Sequence, residues 1–328
     1  GYSLATCGDQ IYTTAGSGSA PMAVIRLDVD TEAIRVVRNS LEIDLAPGLI
    51  SLPDPIEFPT TDDQVAHAFY YPPRNPDFVG PDHEKPPLLV ISHGGPTART
   101  SPELDLGIQF WTSRGFAVVD VNYRGSSGYG RQYRNALRGK WGIVDLDDCI
   151  NAALFLADGG HVDGERMAIR GGSAGGYTTL CALAFADVFA AGASYFGVGD
   201  LAALATDTHK FESRYLDSMI GPYPEAADVY EERSPLANVD GFSCPVILLQ
   251  GLEDRVVPPA QAEEIVAALD AKRIPHAYVS FPGEGHGFRK AENIERAREV
   301  ELYFYSRVFG FDPADVLDPV DIAHEASL

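Results

Sequence analysis

The segment Gly171-Gly172-Ser173-Ala174-Gly175 constrains this chain more than any other. It follows the apolar run 167–170 and precedes the helix-like stretch 176–186, so it reads as a sharp strand-to-helix turn. Such a turn strains the backbone of its middle residue and needs small neighbours where strand and helix meet. Gly171, Gly175 and Gly176 supply them. The turn lifts the Ser173 hydroxyl clear of the backbone, and the helix N-terminus favours developing negative charge beside it.

The rest of the chain fits that turn. Apolar strand-sized runs at 65–71, 87–92, 116–121, 190–196, 246–250 and 277–281 alternate with helical stretches at 146–157, 259–271 and 291–308. This alternation predicts a mostly parallel sheet covered on both faces. Together with the serine turn, it points to the α/β-hydrolase fold. The first fifty residues differ, with short strands at 11–14, 22–27 and 33–37 separated by turn signals, as in a blade of a β-propeller. The expected division is 1–50 as this β remnant, 51–311 as the α/β-hydrolase domain and 312–328 as an acidic tail. The proline-rich segment 47–59 is taken as a boundary or strap.

A serine hydroxyl needs a base, and in this fold the order along the chain is serine, acid, histidine. His276, His286 and His324 come late enough. His324 lies in the tail and His276 precedes its strand, whereas His286 follows 277–281 through the flexible Pro282-Gly283-Glu284-Gly285 loop. The acid should follow 246–250. Asp254 is preferred, with Glu253 and the more distant Asp200 as competitors. The oxyanion donors are expected at the Ala174 amide and in His93-Gly94-Gly95-Pro96, from Gly95 or alternatively Gly94. His93 precedes the serine and reads as a residue that orients this loop.

Acidic residues outnumber basic ones by 47 to 25, giving a formal net charge of −22. Such a surface repels nucleic acid and anionic membrane and favours solubility. No apolar run is long enough to span a bilayer. The start, Gly1-Tyr2-Ser3-Leu4, has neither a signal peptide's pattern nor a methionine, and reads as that of a fragment or a processed chain. Four cysteines without CxxC spacing argue against a disulfide framework or zinc site and fit a reducing, cytoplasmic compartment. No metal or other cofactor is expected. Asp145, Asp147 and Asp148 read as a helix N-terminus, the 125–130 glycine loop lacks a phosphate loop's Gly-Lys ending, and Glu212 with Arg214 reads as a surface pair.

Four blocks in order carry a resemblance: His93-Gly94-Gly95-Pro96; the run from Asn122 to Gly130; Trp141-Gly142 with Asp147-Asp148; and the run from Gly171 to Tyr177. Over roughly residues 55–310 the chain resembles the catalytic domain of the prolyl oligopeptidase family, on its acylaminoacyl-peptidase and dipeptidyl-aminopeptidase branch. The resemblance implies a serine peptidase acting on short peptides, with Ser173, Asp254 and His286 as triad and Gly95 and Ala174 as oxyanion donors. It also implies an N-terminal propeller, of which only the last blade would be present, the remainder being a partner segment. Homo-oligomerisation is a further possibility. A carboxylesterase with the same triad and an inactive interaction domain are the alternatives.

Overall fold

The computed structural model describes residues 4–43, 45–81, 83–207 and 214–328. The expectations placed on residues 1–3 and on Glu212 lie outside the described residues. Four antiparallel strands in sequential order form the first sheet: β1 (Ala5–Cys7), β2 (Gln10–Ser17), β3 (Ala20–Asp28) and β4 (Ile34–Asn39). The β3–β4 turn is fixed by Asp28, whose Oδ1 accepts from the amide and hydroxyl of Thr31 at 2.9 and 2.7 Å. On β4, Ile34 and Val36 are 64% and 59% exposed, so this small sheet leaves apolar surface uncovered.

The second sheet has eight strands: β5 (Asp54–Thr60), β6 (Gln64–Tyr71), β7 (Leu88–Ser92), β8 (Ala117–Asn122), β9 (Met167–Gly172), β10 (Ala191–Tyr195), β11 (Val246–Gly251) and β12 (His276–Phe281). Their order is β12-β11-β10-β9-β7-β8-β6-β5. The six strands from β7 to β12 are mutually parallel, while β6 and β5 extend the sheet antiparallel beyond β8. Every residue of β8 and of β11 is buried, as continuous apolar runs covered on both faces require. The proline-rich boundary needs correcting, because 54–60 is itself a strand. Pro55 and Pro59 are tolerated since β5 is the edge of the sheet, where one side needs no amide donors.

The helices are α1 (Leu106–Thr112), α2 (Gly130–Asn135), α3 (Val144–Asp158), α4 (Ala174–Phe185), α5 (Leu201–Asp207), α6 (Tyr215–Met219), α7 (Ala227–Glu232), α8 (Pro259–Ala271) and α9 (Ala291–Phe309). On one face, Leu156 of α3, Leu180 of α4 and Ile265 of α8 join a core with Val90 and Leu248. On the other, Trp111 of α1 and Phe304 and Tyr305 of α9 pack with Leu89 and Ile247. Helix α9 ends at Gly310, whose φ of 69° favours glycine. The acidic tail then crosses the surface, where Asp315 pairs with Arg114 at 2.6 Å and Ala323 exchanges backbone hydrogen bonds with His276. Among the described residues, no helix is long and apolar enough to cross a membrane.

Candidate active site

The serine turn joins β9 to α4. Ser173 has φ 57° and ψ −122°, a region that costs a non-glycine residue about 1–3 kcal/mol. The turn closes only around glycines. A Cβ on Gly175 would run into the Ser92 carbonyl, and one on Gly171 would meet the same oxygen at 2.7 Å. With that crossing made, Ser173 stands at the carboxyl end of a central parallel strand, where open α/β sheets place their sites.

His286 follows β12 and reaches back over this turn. Its Nε2 is 2.8 Å from Ser173 Oγ, and its Nδ1 is 2.8 Å from Asp254 Oδ2. Asp254, buried after β11, also accepts from the amides of Val256 and Val257 through Oδ1, at 2.8 and 3.0 Å. The competing acids lie elsewhere. Glu253 is exposed, and Asp200 caps α5 by accepting from the amides of Ala202 and Ala203. The other late histidines are also apart. His276 belongs to β12 itself, at the strand's opposite end, and His324 pairs with Asp270.

Two features around His286 escaped the sequence reading. Glu284, 2% exposed, accepts from the amides of Arg289 and Lys290 and from Asn293 Nδ2 at 3.0, 2.9 and 2.8 Å, tying down the loop that carries the histidine. The Asn293 hydrogen bond is the first cause holding its carboxyl below the usual range, followed by the Lys290 and Arg289 amides. Phe196 packs edge-on to the His286 ring at 4.9 Å and itself adopts φ 38°.

The glycine loop after β7 is held from behind. His93 Nδ1 lies 2.9 Å from the Gly94 carbonyl, its Nε2 lies 2.7 Å from Ser126 Oγ, and its ring stacks on Tyr123 at 4.2 Å. Burial pushes the imidazole down to about 4, so the ring is neutral. It then donates from Nδ1 to Gly94, while Nε2 faces Ser126 Oγ, whose hydroxyl also lies 2.7 Å from the Tyr123 carbonyl. Gly95 has φ 85°, suited to glycine, and lines a cavity of about 630 Å³ with Ser173, Ala174 and His286. Trp141, Val198, Leu216 and Val257 give that cavity apolar walls.

The acidic cluster of α3 braces this arrangement. Asp148 accepts from the Arg124 amide at 2.6 Å and from its Nε at 3.0 Å, fixing the strand end that leads to Ser126. Asp145, pushed up to about 6 by burial, accepts from the Gly142 amide and the Thr178 hydroxyl at 2.7 and 2.6 Å. Reading these aspartates as a helix start located them correctly but missed their partners. Arg214 pairs with Asp217 at 3.0 Å. Among the described residues, no group of three or more His, Cys, Asp or Glu side chains could hold a metal ion.

A hydroxyl, an imidazole and a buried carboxylate in this sequence can pass a proton away from the hydroxyl as it attacks a carbonyl. Known proteins share the arrangement's frame. A structure described as a Mycobacterium tuberculosis puromycin-hydrolyzing peptidase superposes with a TM-score of 0.95 at 46% identity, over 98% of this chain and 49% of that one. Dipeptidyl aminopeptidase BIII of Pseudoxanthomonas mexicana is 34% identical over 264 residues, which is 78% of this chain and 38% of the relative. The acylamino-acid-releasing enzyme of Arabidopsis thaliana is 30% identical over 227 residues, 66% of this chain and 30% of that protein. The chain thus spans half or less of each relative's length. The pattern of the prolyl oligopeptidase family matches residues 102–312, from before β8 to the end of α9 and including Ser173, Asp254 and His286, and the chain belongs to that family.

Proposed function

We propose that this chain carries the catalytic machinery of a serine peptidase that hydrolyses short peptides at or near their N-terminus, as an aminopeptidase, dipeptidyl-peptidase or acylaminoacyl-peptidase. The observation that carries this reading is the unbroken contact from Ser173 Oγ through His286 to Asp254, both steps 2.8 Å, beside an apolar cavity. Ser173 Oγ attacks the acyl carbonyl while His286 Nε2 takes its proton. The oxyanion is held by the Gly95 and Ala174 amides, and His286 then protonates the departing amine. Water, deprotonated by the same imidazole, releases the acyl group from Ser173. Asp254 fixes the histidine tautomer and stabilises the imidazolium.

The apolar walls favour an apolar side chain on the acyl residue, and the relatives' names as peptidases favour amide substrates over the carboxylesterase and inactive-domain alternatives. Residues 1–50 fit the role of a propeller's last blade, with 51–311 as the hydrolase domain and 312–328 as the tail. The exposed β4 side chains would pack on the remaining blades. The free thiols Cys7, Cys149, Cys181 and Cys244 suit a reducing, cytoplasmic setting.

The test is paired hydrolysis of a leucyl p-nitroanilide and a p-nitrophenyl ester by the protein and by Ser173→Ala. Amide turnover that falls at least about a thousandfold in the variant is expected. Fast ester turnover with amide turnover at background would reverse the reading.

A further inference from the structure

A second cavity, of about 570 Å³, also touches Ser173 and His286; Asp105, Asp120, Arg170 and Arg298 line it beside apolar side chains such as Ile108, Phe196 and Phe288. It meets Gly94 and Gly172 and includes neither Gly95 nor Ala174, the proposed oxyanion donors. With the acyl group facing the apolar cavity, this is the space left for the departing amine, which His286 must protonate. Its volume falls within the range of small-molecule sites, roughly 300–1,000 Å³.

Its carboxylates are already engaged. Asp105 Oδ1 accepts from the amides of Gly107 and Ile108 at 2.6 and 3.3 Å. Asp120 takes the hydroxyl of Thr100, and burial pushes its carboxyl up to about 7. The neighbouring Glu301 pairs with Arg170 Nε at 3.2 Å and accepts from the Tyr195 hydroxyl at 2.5 Å. Arg298 differs. Its Nη1 is buried without a hydrogen-bond partner among the described residues. Its guanidinium lies over Gly107, where a Cβ would stand 2.5 Å from Nη2, so that glycine makes its room. The nearby Arg170 guanidinium and then burial push Arg298 down from its usual range, against the opposing pull of Tyr195, Glu301 and Asp105. An open, buried guanidinium donor repelled by another cation is a place for an anion.

We propose that Arg298 makes this cavity a subsite for the free C-terminal carboxylate of the leaving fragment, so that the preferred substrates are peptides ending shortly after the cleaved bond. The proposal rests on the peptidase reading above. A carboxylate there satisfies Nη1 and offsets the Arg170–Arg298 repulsion.

The experiment compares Leu-Ala-Ala as free acid and as C-terminal amide, with leucyl p-nitroanilide, whose leaving group has no carboxylate, as reference. The native protein should favour the acid in kcat/KM by about tenfold or more, as hydrogen bonds to charged groups allow. Arg298→Met should bring the acid-to-amide ratio near one, and Arg298→Lys should keep part of it. Taking a ratio within each variant cancels general losses. Equal acid and amide rates in the native protein, or a full preference kept in Arg298→Met, would overturn the subsite. Should Arg298→Met not fold, the native pair and Arg298→Lys decide. Absence of p-nitroanilide hydrolysis would instead sink the peptidase reading.

Discussion

His93 Nδ1 lies 2.9 Å from the carbonyl oxygen of Gly94, its own neighbour in the chain. The peptide unit carrying that carbonyl also carries the Gly95 amide. In a trans peptide the two groups point in opposite directions, so anchoring the oxygen aims the N–H. Behind His93 stands Ser126, whose position follows from Arg124 and the buried Asp148. A chain of side chains therefore runs from α3 to the proposed oxyanion donor, and His93 is a positioning residue within it.

This relationship predicts a split in kinetic constants. His93→Ala should lower kcat by about ten- to a hundredfold while KM for a p-nitroanilide changes by less than about threefold. An aimed amide matters most to charge that develops in the transition state. A matching rise in KM with kcat unchanged would mean that His93 shapes the binding surface instead.

The depressed His93 also bears on stability. A histidine of ordinary value near 6.5, held at about 4 by burial, binds its proton in the unfolded chain before the folded one. Between those values the unfolded state carries more protons, so stability falls as the pH drops from about 6.5 to 4. The contribution is about 3 kcal/mol, and it is fully present above the higher value. Urea unfolding across this range should show a shallower loss for His93→Gln than for the native protein.

Gly175 offers a test of the fold itself. The carbonyl of Ser92 occupies the space a Cβ would need, and both partners are backbone, so neither can swing aside. Gly175→Ala should cost several kcal/mol or prevent folding, seen as a lowered Tm or loss of soluble protein. Gly287→Ala meets no atom within 4 Å of its Cβ and carries only the strain of φ 95°, so a smaller loss is expected there.

Much of this architecture was legible because its signals are local. The glycine-serine turn, the apolar runs and the order of Ser173, Asp254 and His286 can each be read from a few adjacent residues. The missed features are those decided by distant partners. Pro55 and Pro59 argue against a strand until β5 is known to be an edge. Asp145 and Asp148 look like helix-start acids, and nothing in their spacing reveals Thr178 or Arg124 as partners. Phe196 gave no hint of its contact with His286, since that pairing joins the ends of β10 and β12.

Glu284 is the missed residue with the clearest kinetic consequence. It closes the His286 loop on itself by accepting from two amides and from Asn293, all within nine residues. Its partners hold the carboxyl below its ordinary value, so its contribution is present above about pH 4.5 and is lost as the pH falls through the lower, folded value. Glu284→Ala leaves three donors without their acceptor and frees the loop between β12 and α9. The expected result is a fall in kcat of about tenfold or more, with faster amide hydrogen exchange at residues 284–290 and little change in exchange at β9. Glu284→Gln, which keeps one acceptor oxygen, should recover part of the rate. Equal rates for the native protein and Glu284→Ala would show that Asp254 and the Phe196 ring hold the imidazole in place unaided.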